Sequence, residues 1–239
     1  MYSYFLAVNS SSVQTSKDKI TISVPDTEKE GSTAVILPLT RLNAYYAEGM
    51  SEASLIDWSK QFCSKTEVFL DIGAHTGTYS TSLSSYCLSV HAFEPQRSTF
   101  YALCGSVALS GKKNIVCHNF GLGSQNQVGN LTLNIISEDG GGSSLHQSSL
   151  NKNMCTETVR IKTLDSLRLE NVGFIKLDVE NNERQVLEGA IETLKMCRPH
   201  HILFESNKEN EPLYSFIRSQ DYSIVPVSGY WNMYLATIN

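Results

Sequence analysis

Two short segments of the chain place acidic residues beside residues that turn the backbone. The first segment is made of Asp71, Gly73, Ala74, His75, Thr76 and Gly77. Glycines in such a turn let the backbone bend sharply and come close to a ligand. The second segment is Glu94 with Pro95, at the end of the next apolar run. Both segments therefore have the residue types of a ligand-binding strand end.

The spacing of these segments gives them a common chemistry. Glu94 follows Asp71 by about 20 residues, the separation at which α/β nucleotide-binding folds carry a ribose-binding carboxylate. A carboxylate there accepts strong hydrogen bonds from both ribose hydroxyls. The glycines follow a Gly-x-x-x-Gly spacing, which differs from the Gly-x-Gly-x-x-Gly of dinucleotide folds. The sequence thus predicts a nucleoside-type pocket and disfavours a nicotinamide cofactor.

From residue 67 onward, short apolar runs alternate with helical stretches, which is typical of a parallel sheet covered on both faces. The predicted strands cover residues 68–71, 89–93, 114–119, 174–178, 201–204, 223–227 and 231–237. The predicted helices cover residues 51–62, 78–86, 98–109, 183–196 and 211–219. Ser51 is the expected N-cap of the first helix. A short hairpin joins the last two strands, so we expect an α/β fold whose seven-stranded sheet has an antiparallel last strand.

Composition narrows the class of protein. The chain has 239 residues, of which 41% are hydrophobic, and its net charge is −5. This negative net charge disfavours the broad basic surface of nucleic-acid-binding proteins. We expect a lead-in or cap over residues 1–50 and a main domain over residues 51–239, with an inserted hairpin and loop at about residues 121–162.

No apolar run reaches the roughly 20 residues that a membrane span needs. The amino terminus lacks a signal-peptide pattern, so we expect a cytoplasmic protein.

Five motifs in order resemble those of FkbM-type methyltransferases. They lie at residues 70–77, 92–95, 143–145, 164–167 and 175–180. The resemblance implies S-adenosylmethionine as cofactor, a Rossmann-like class I methyltransferase fold, and O-methylation of a hydroxyl on a sugar, a glycan or a related small molecule. In one departure, Asn181 and Asn182 stand where the family usually has Gly after Asp-Val-Glu. Asn tolerates the positive φ that such a turn requires.

The same resemblance assigns cofactor contacts. The turn at residues 71–77, Glu94 and Pro95 are the predicted core of that site. Asn119 is predicted near the adenine, with a turn-forming role as the alternative. Asp178 is a further candidate contact for the cofactor. His75 lies within the turn, so we expect it to make a backbone or cofactor contact rather than to transfer a proton.

The acceptor hydroxyl has to lose a proton, which calls for a general base or a cation. Glu180 is the leading candidate base, and His146 on the inserted loop is its rival. Asp178 and Glu205 end adjacent predicted strands and are further catalytic candidates. Together with Asn207 they also offer oxygen ligands for Mg²⁺. The alternative is that Asp178 holds the cofactor and Glu205 caps the next helix.

Other interpretations stay open. A nucleic-acid methyltransferase would share the cofactor pocket, although no basic stripe is present. A non-catalytic nucleoside-binding module would be consistent with the altered loop at Asn181. A nicotinamide oxidoreductase ranks last because of the glycine spacing. Tyr230 and Trp231 follow the last turn and either stack on a sugar ring or pack on the sheet.

Overall fold

The computed structural model describes residues 49–137, 140–146, 155–206 and 210–239, together with four short strands nearer the amino terminus. In these residues the strands are β1 (Tyr4–Val8), β2 (Gln14–Ser16), β3 (Lys19–Thr21), β4 (Ala34–Pro38), β5 (Val68–Ile72), β6 (Ser89–Phe93), β7 (Ile115–His118), β8 (Gly121–Leu122), β9 (Gly129–Ile135), β10 (Cys155–Lys162), β11 (Val172–Leu177), β12 (His201–Glu205), β13 (Tyr222–Pro226) and β14 (Met233–Ile238). The α-helices are α1 (Ala53–Ser59), α2 (Thr78–Leu83), α3 (Arg97–Leu109), α4 (Glu183–Glu188), α5 (Ile191–Cys197) and α6 (Glu211–Ser219).

A seven-stranded sheet has the strand order β13-β14-β12-β11-β5-β6-β7. Its neighbouring strands are parallel except around β14, which pairs antiparallel with both β12 and β13. The hairpin after β13 folds β14 back between β13 and β12. This confirms the predicted α/β fold with a mostly parallel sheet and an antiparallel last strand.

Helices cover both faces of this sheet. On one face, Leu70 and Ile175 belong to a buried cluster that includes side chains of α4, α5 and α6. On the other face, Phe69 and Phe174 stack with ring centroids 4.9 Å apart, and Leu55 of α1 joins their cluster. The central strands β5 and β11 are buried along their whole length, as expected for strands covered on both faces, and each contains one charged residue, Asp71 or Lys176. Their carboxyl ends are therefore held in fixed positions.

Two predicted helix features are wrong in detail. The single helix expected over residues 183–196 is divided into α4 and α5 around Gly189. A Cβ at Gly189 would lie 2.1 Å from the backbone oxygen of Gly123, so this part of the chain packs directly against another backbone segment. The first helix begins at Ala53, and its N-cap residue is Glu52 with φ 57° rather than Ser51.

The segment at residues 121–162 contains the predicted hairpin. Strands β9 and β10 pair antiparallel, and β8 adds in parallel to β10, giving a separate three-stranded sheet. Nearer the amino terminus, β4 packs against α3, and the Ile36 N–H donates to Ser106 Oγ at 2.8 Å. None of the helices within the described ranges is long and apolar enough to cross a membrane.

Replacing Phe174 by alanine tests the importance of the stacked pair in the core. Phe174 is 1% exposed, and its loss leaves a cavity between β11 and α1. We expect Phe174→Ala to lower the free energy of unfolding by about 3–5 kcal/mol in urea denaturation. Tyr101→Ala, at a side chain that is 65% exposed, should change it by less than about 0.5 kcal/mol. Equal losses in the two variants would contradict this account of the core.

Candidate active site

A cavity of about 410 Å³ opens at the carboxyl ends of β5, β6 and β11. This is the edge at which open α/β sheets bind ligands. The sequence-predicted residues on its wall are Gly73, Ala74, His75, Thr76, Glu94, Pro95, Asp178 and Glu180. Further walls come from the loop at residues 140–145, from Leu37 of β4 and from residues 49–52. The structure therefore brings most of the predicted cofactor and catalytic residues to one cavity.

The turn after β5 requires glycine at both ends. Gly73 has φ 80° and Gly77 has φ 90°, a backbone region that other residues rarely adopt. A Cβ at Gly73 would lie 1.8 Å from the backbone oxygen of Asp178. The turn consequently packs directly on the end of β11. This contact brings the cofactor turn next to the acidic end of that strand.

Thr76 is a buried polar residue on the wall of the cavity. Its side chain is fully buried, and its Oγ1 has no hydrogen-bond partner among the residues that the structure describes. Leaving a buried hydroxyl unpaired costs about 1–3 kcal/mol. Because Thr76 also lies on the cavity wall, a polar group of a bound cofactor can supply the partner. The residues of the turn thus fit a polar ligand.

Glu94 faces the same cavity and is only 7% exposed. Its Oε2 accepts the N–H of His75 and its Oε1 accepts the N–H of Gln96, both at 2.9 Å. Burial raises the pKa of Glu94 to about 7. A carboxylate has further lone pairs, so both oxygens can still accept from a ribose. The backbone contact expected for His75 is the one that joins the turn to Glu94.

Gly77, which ends the turn, is not on the cavity wall, and neither are two other predicted cofactor residues, Asp71 and Asn119. Asp71 is fully buried, where its Oδ2 accepts from Ser80 Oγ at 2.5 Å and its Oδ1 lies 4.0 Å from Lys176 Nζ. The Asn119 amide donates to the Glu94 carbonyl at 3.1 Å and to the following carbonyl at 3.2 Å. Both residues support the walls of the cavity, and a direct contact with the cofactor stays a prediction for each.

Three carboxylates meet beside the cavity. Oxygen atoms of Asp178, Glu180 and Glu205 all lie within 4.8 Å of one another. Glu180 borders both the main cavity and a small polar groove, which Glu205 also lines. His146 is exposed and lines neither, so the structure does not bring it to the carboxylates. Asn207 lies outside the described residues.

Asp178 and Glu205 differ in their ionisation. Burial alone would raise the pKa of Asp178, but the Lys176 ammonium 3.2 Å away and a hydrogen bond with Glu205 hold it below its usual value. Burial raises the pKa of Glu205 to about 8, and the charges of Asp178 and Glu180 add to the effect. At neutral pH, Asp178 is therefore ionised while Glu205 keeps a proton.

The loop after β11 adopts an unusual backbone. Glu180 has φ 54° and Asn181 has φ 73°, which confirms that Asn takes a positive φ here. Hydrogen bonds to other parts of the chain hold this conformation. Ser144 Oγ donates to the Glu180 carbonyl at 2.8 Å, and Glu183 Oε1 accepts the Asn181 N–H at 3.2 Å. The same Glu183 oxygen accepts the Val179 N–H at 3.1 Å. The loop thus keeps its shape without the glycine that is usual in the family.

The two aromatic residues of the last turn have different environments. Tyr230 packs against the core cluster that contains Phe174. Trp231 is 70% exposed, and the neighbouring Asn232 amide donates to Glu205 Oε1. Trp231 is therefore exposed, whereas Tyr230 packs on the core.

Sequence reasoning missed several charged residues of the site. Lys176 is buried within β11, and beside it Tyr79 OH donates to Glu52 Oε2 at 3.0 Å on the cavity wall. The sequence pattern placed Glu183 in a predicted helix and indicated no role for it in the site. The sequence did contain a signal for Lys176, which lies between Ile175 and Leu177 in a strand predicted to be buried. Because a buried ammonium requires a charged or polar partner, this lysine indicated that such partners lie nearby.

The sequence of residues 71–224 matches the methyltransferase FkbM domain. The chain belongs to the FkbM methyltransferase family. The matched region contains the glycine turn, Glu94, the inserted hairpin and the carboxylate cluster. The family that it matches is one of methyltransferase domains. No curated protein matches the sequence significantly.

Solved structures agree with this assignment at the level of the fold. Methyltransferase FkbM from Methylobacillus flagellatus KT has a TM-score of 0.54 at 18% identity, over 73% of this chain and 44% of that protein. This chain thus spans less than half of that relative. A putative rRNA-methylase from Clostridium thermocellum gives a TM-score of 0.52 at 10% identity, over 79% of this chain and 96% of that protein. Precorrin-6y C5,15-methyltransferase from Geobacter metallireducens GS-15 gives a TM-score of 0.51 at 10% identity. The match covers 80% of this chain and 90% of that protein.

The close packing of the turn on β11 can be tested with two glycine replacements that share a positive φ. Gly229 has φ 86° and open space around its Cβ position, so Gly229→Ala should cost about 1–2 kcal/mol from backbone strain alone. Gly73→Ala adds the overlap with the Asp178 carbonyl, and we expect a larger loss of unfolding free energy in urea denaturation. Similar losses would show that the turn does not pack tightly on β11.

Proposed function

We propose that the protein transfers a methyl group from S-adenosylmethionine to a hydroxyl of a sugar, a glycan or a related small molecule. The observation that carries this proposal is the carboxylate cluster beside the cofactor cavity, with Glu180 bordering both the cavity and the groove. S-adenosylmethionine supplies a methyl group that its sulfonium already activates. The chain's own residues then have to bind and align the two molecules and accept a proton.

The cofactor half of the cavity would be held by the predicted residues. The Glu94 carboxylate is placed to accept hydrogen bonds from the ribose hydroxyls, and the unpaired Thr76 hydroxyl is available to a polar group of the cofactor. The backbone of the turn between Gly73 and Gly77 approaches without side-chain obstruction. Asp178 lies on the wall between this half and the acceptor side.

Glu180 is proposed as the general base for the acceptor hydroxyl. Burial raises its pKa, and the negative charge of Asp178 raises it further, which makes the carboxylate a better proton acceptor near neutral pH. A backbone hydrogen bond from Gly142 also holds the carboxylate. Asp178 and Glu205 would support the base, since protonated Glu205 donates a hydrogen bond to ionised Asp178.

An Mg²⁺ ion at Asp178 and Glu205 is the alternative route to an activated hydroxyl. The Lys176 ammonium already binds Asp178, and the Asn232 amide already binds Glu205. A positive charge 3.2 Å from a proposed ligand opposes cation binding, so the donor set favours the base. The same negative cluster would repel phosphate groups, and therefore gives no support to a nucleic-acid acceptor.

The ionisation of Glu94 predicts how cofactor affinity depends on pH. With a pKa of about 7, the ionised fraction rises about tenfold between pH 6 and pH 8. Because the ionised form is the better acceptor for ribose hydroxyls, the affinity for S-adenosylhomocysteine in isothermal titration should rise about tenfold over that range. Glu94→Gln should bind more weakly and lose most of this dependence. Glu192→Gln, at an exposed ion pair, should behave as the wild type.

The outcome of this titration is decisive for the cofactor site. Absence of binding at millimolar S-adenosylhomocysteine would overturn the proposed function. Binding with an unchanged pH dependence in Glu94→Gln would place the ribose away from Glu94.

Replacement of Glu180 tests the proposed base. We expect Glu180→Gln to lower turnover by about 10²–10⁴-fold. Cofactor affinity should change by less than about threefold. Turnover is measured as S-adenosylhomocysteine release with a panel of methyl glycosides of glucose, galactose, mannose, rhamnose and N-acetylglucosamine, with Glu192→Gln as control.

Three results of this assay are informative. Turnover that survives in Glu180→Gln would remove the base assignment. Loss of wild-type turnover in EDTA, restored by Mg²⁺, would favour the metal route instead. Cofactor binding without transfer to any glycoside, but with transfer to RNA, would replace the proposed acceptor class.

A further inference from the structure

Lys176 lies in the middle of the most buried part of the sheet. It is 4% exposed, and β11 pairs on either side with β5 and β12. Placing an ammonium in such an environment is costly unless charged or polar partners compensate for the lost hydration. Ordinary packing of a parallel strand would be served better by an apolar side chain. The partners of Lys176 therefore indicate why a lysine is present.

The partners of the Lys176 ammonium come from both halves of the cavity. Nζ donates to the Gly73 carbonyl at 3.0 Å and to Asp178 Oδ2 at 3.2 Å. It also lies 4.0 Å from Asp71 Oδ1 and 5.2 Å from the centre of the Tyr79 ring. Gly73 begins the cofactor turn, and Asp178 stands on the acceptor side. One cation thus contacts both halves of the cavity.

The geometry of the turn strengthens this connection. A Cβ at Gly73 would overlap the Asp178 backbone oxygen, so the turn and the end of β11 are in close contact. A lysine ammonium is a compact charge with three donors, which suits two hydrogen bonds and a nearby second carboxylate. A neutral side chain of the same length would leave the buried Asp71 and the partly exposed Asp178 without this cation.

We propose that Lys176 is a positioning residue that locks the cofactor turn and the Asp178 carboxylate into one unit. This inference deepens the proposed function and rests on it, because Asp178 is taken to face the bound cofactor and the acceptor. Small displacements of aligned groups cost large factors in methyl transfer, so a shared anchor for both halves keeps donor and acceptor in register.

A double-mutant cycle on cofactor affinity tests the coupling. The probe is S-adenosylhomocysteine in isothermal titration with the wild type, Lys176→Met, Asp178→Asn and the double variant. We expect at least a tenfold loss of affinity in Lys176→Met and at least a fivefold loss in Asp178→Asn. The double variant should bind within twofold of Lys176→Met, because the two residues act through one unit.

A purely structural lysine gives a different result. In that case the two losses multiply in the double variant, or folded Lys176→Met binds as the wild type, and either outcome overturns the inference. An unchanged affinity in Asp178→Asn overturns it as well. Lys195→Met, which removes an exposed ammonium paired with Glu192, is the matched control and should bind normally.

Folding is checked separately by circular dichroism and thermal unfolding. If Lys176→Met does not fold, the cycle is run with Lys176→Arg, which keeps the charge but replaces the compact ammonium with a planar group. The same non-additivity is expected, and multiplied losses again overturn the proposal. A wild type that binds no S-adenosylhomocysteine contradicts the proposed function itself, whereas normal wild-type binding with independent losses contradicts only the role of Lys176.

Discussion

The close contact between the glycine turn after β5 and the end of β11 is the constraint on which the site depends. Gly73 can approach the Asp178 backbone because it has no Cβ, and the Lys176 ammonium binds both strands at this point. Parallel strands bring their carboxyl ends to one edge of the sheet. The contact then holds the glycine turn next to the carboxylates of Asp178, Glu180 and Glu205.

Bringing three carboxylates together is unfavourable, and the surrounding structure determines which of them carries a charge. Lys176 stabilises the ionised form of Asp178, whereas burial and neighbouring charges keep a proton on Glu205. Glu180 is held by the inserted loop through Ser144 and by its own left-handed backbone. Carboxylates whose environments shift their pKa values in opposite directions are typical of functional sites. The cluster is thus suited to proton transfer beside a methyl donor.

Much of the fold follows from local patterns in the sequence. The seven strands, the antiparallel last strand and the inserted hairpin were predicted because apolar runs, turn residues and helical periodicity act over short distances. The division at Gly189 was missed, since it depends on contact with the distant backbone of Gly123. The exposed position of His146 was also not predictable, because its residue type suits a base equally well wherever the loop lies.

The sequence by itself determined the strand ends, the glycines of the turn and the acidic residues that belong to an FkbM methyltransferase. It also indicated that Asn181 can adopt a positive φ, which is a property of one residue. Only the tertiary structure decided that Asp71 lies beneath the turn, that Glu180 joins Asp178 and Glu205, and that Lys176 contacts both halves of the cavity. The physical reason is that charge and hydrogen-bond partners depend on through-space distances between strands, which the linear spacing of residues does not contain.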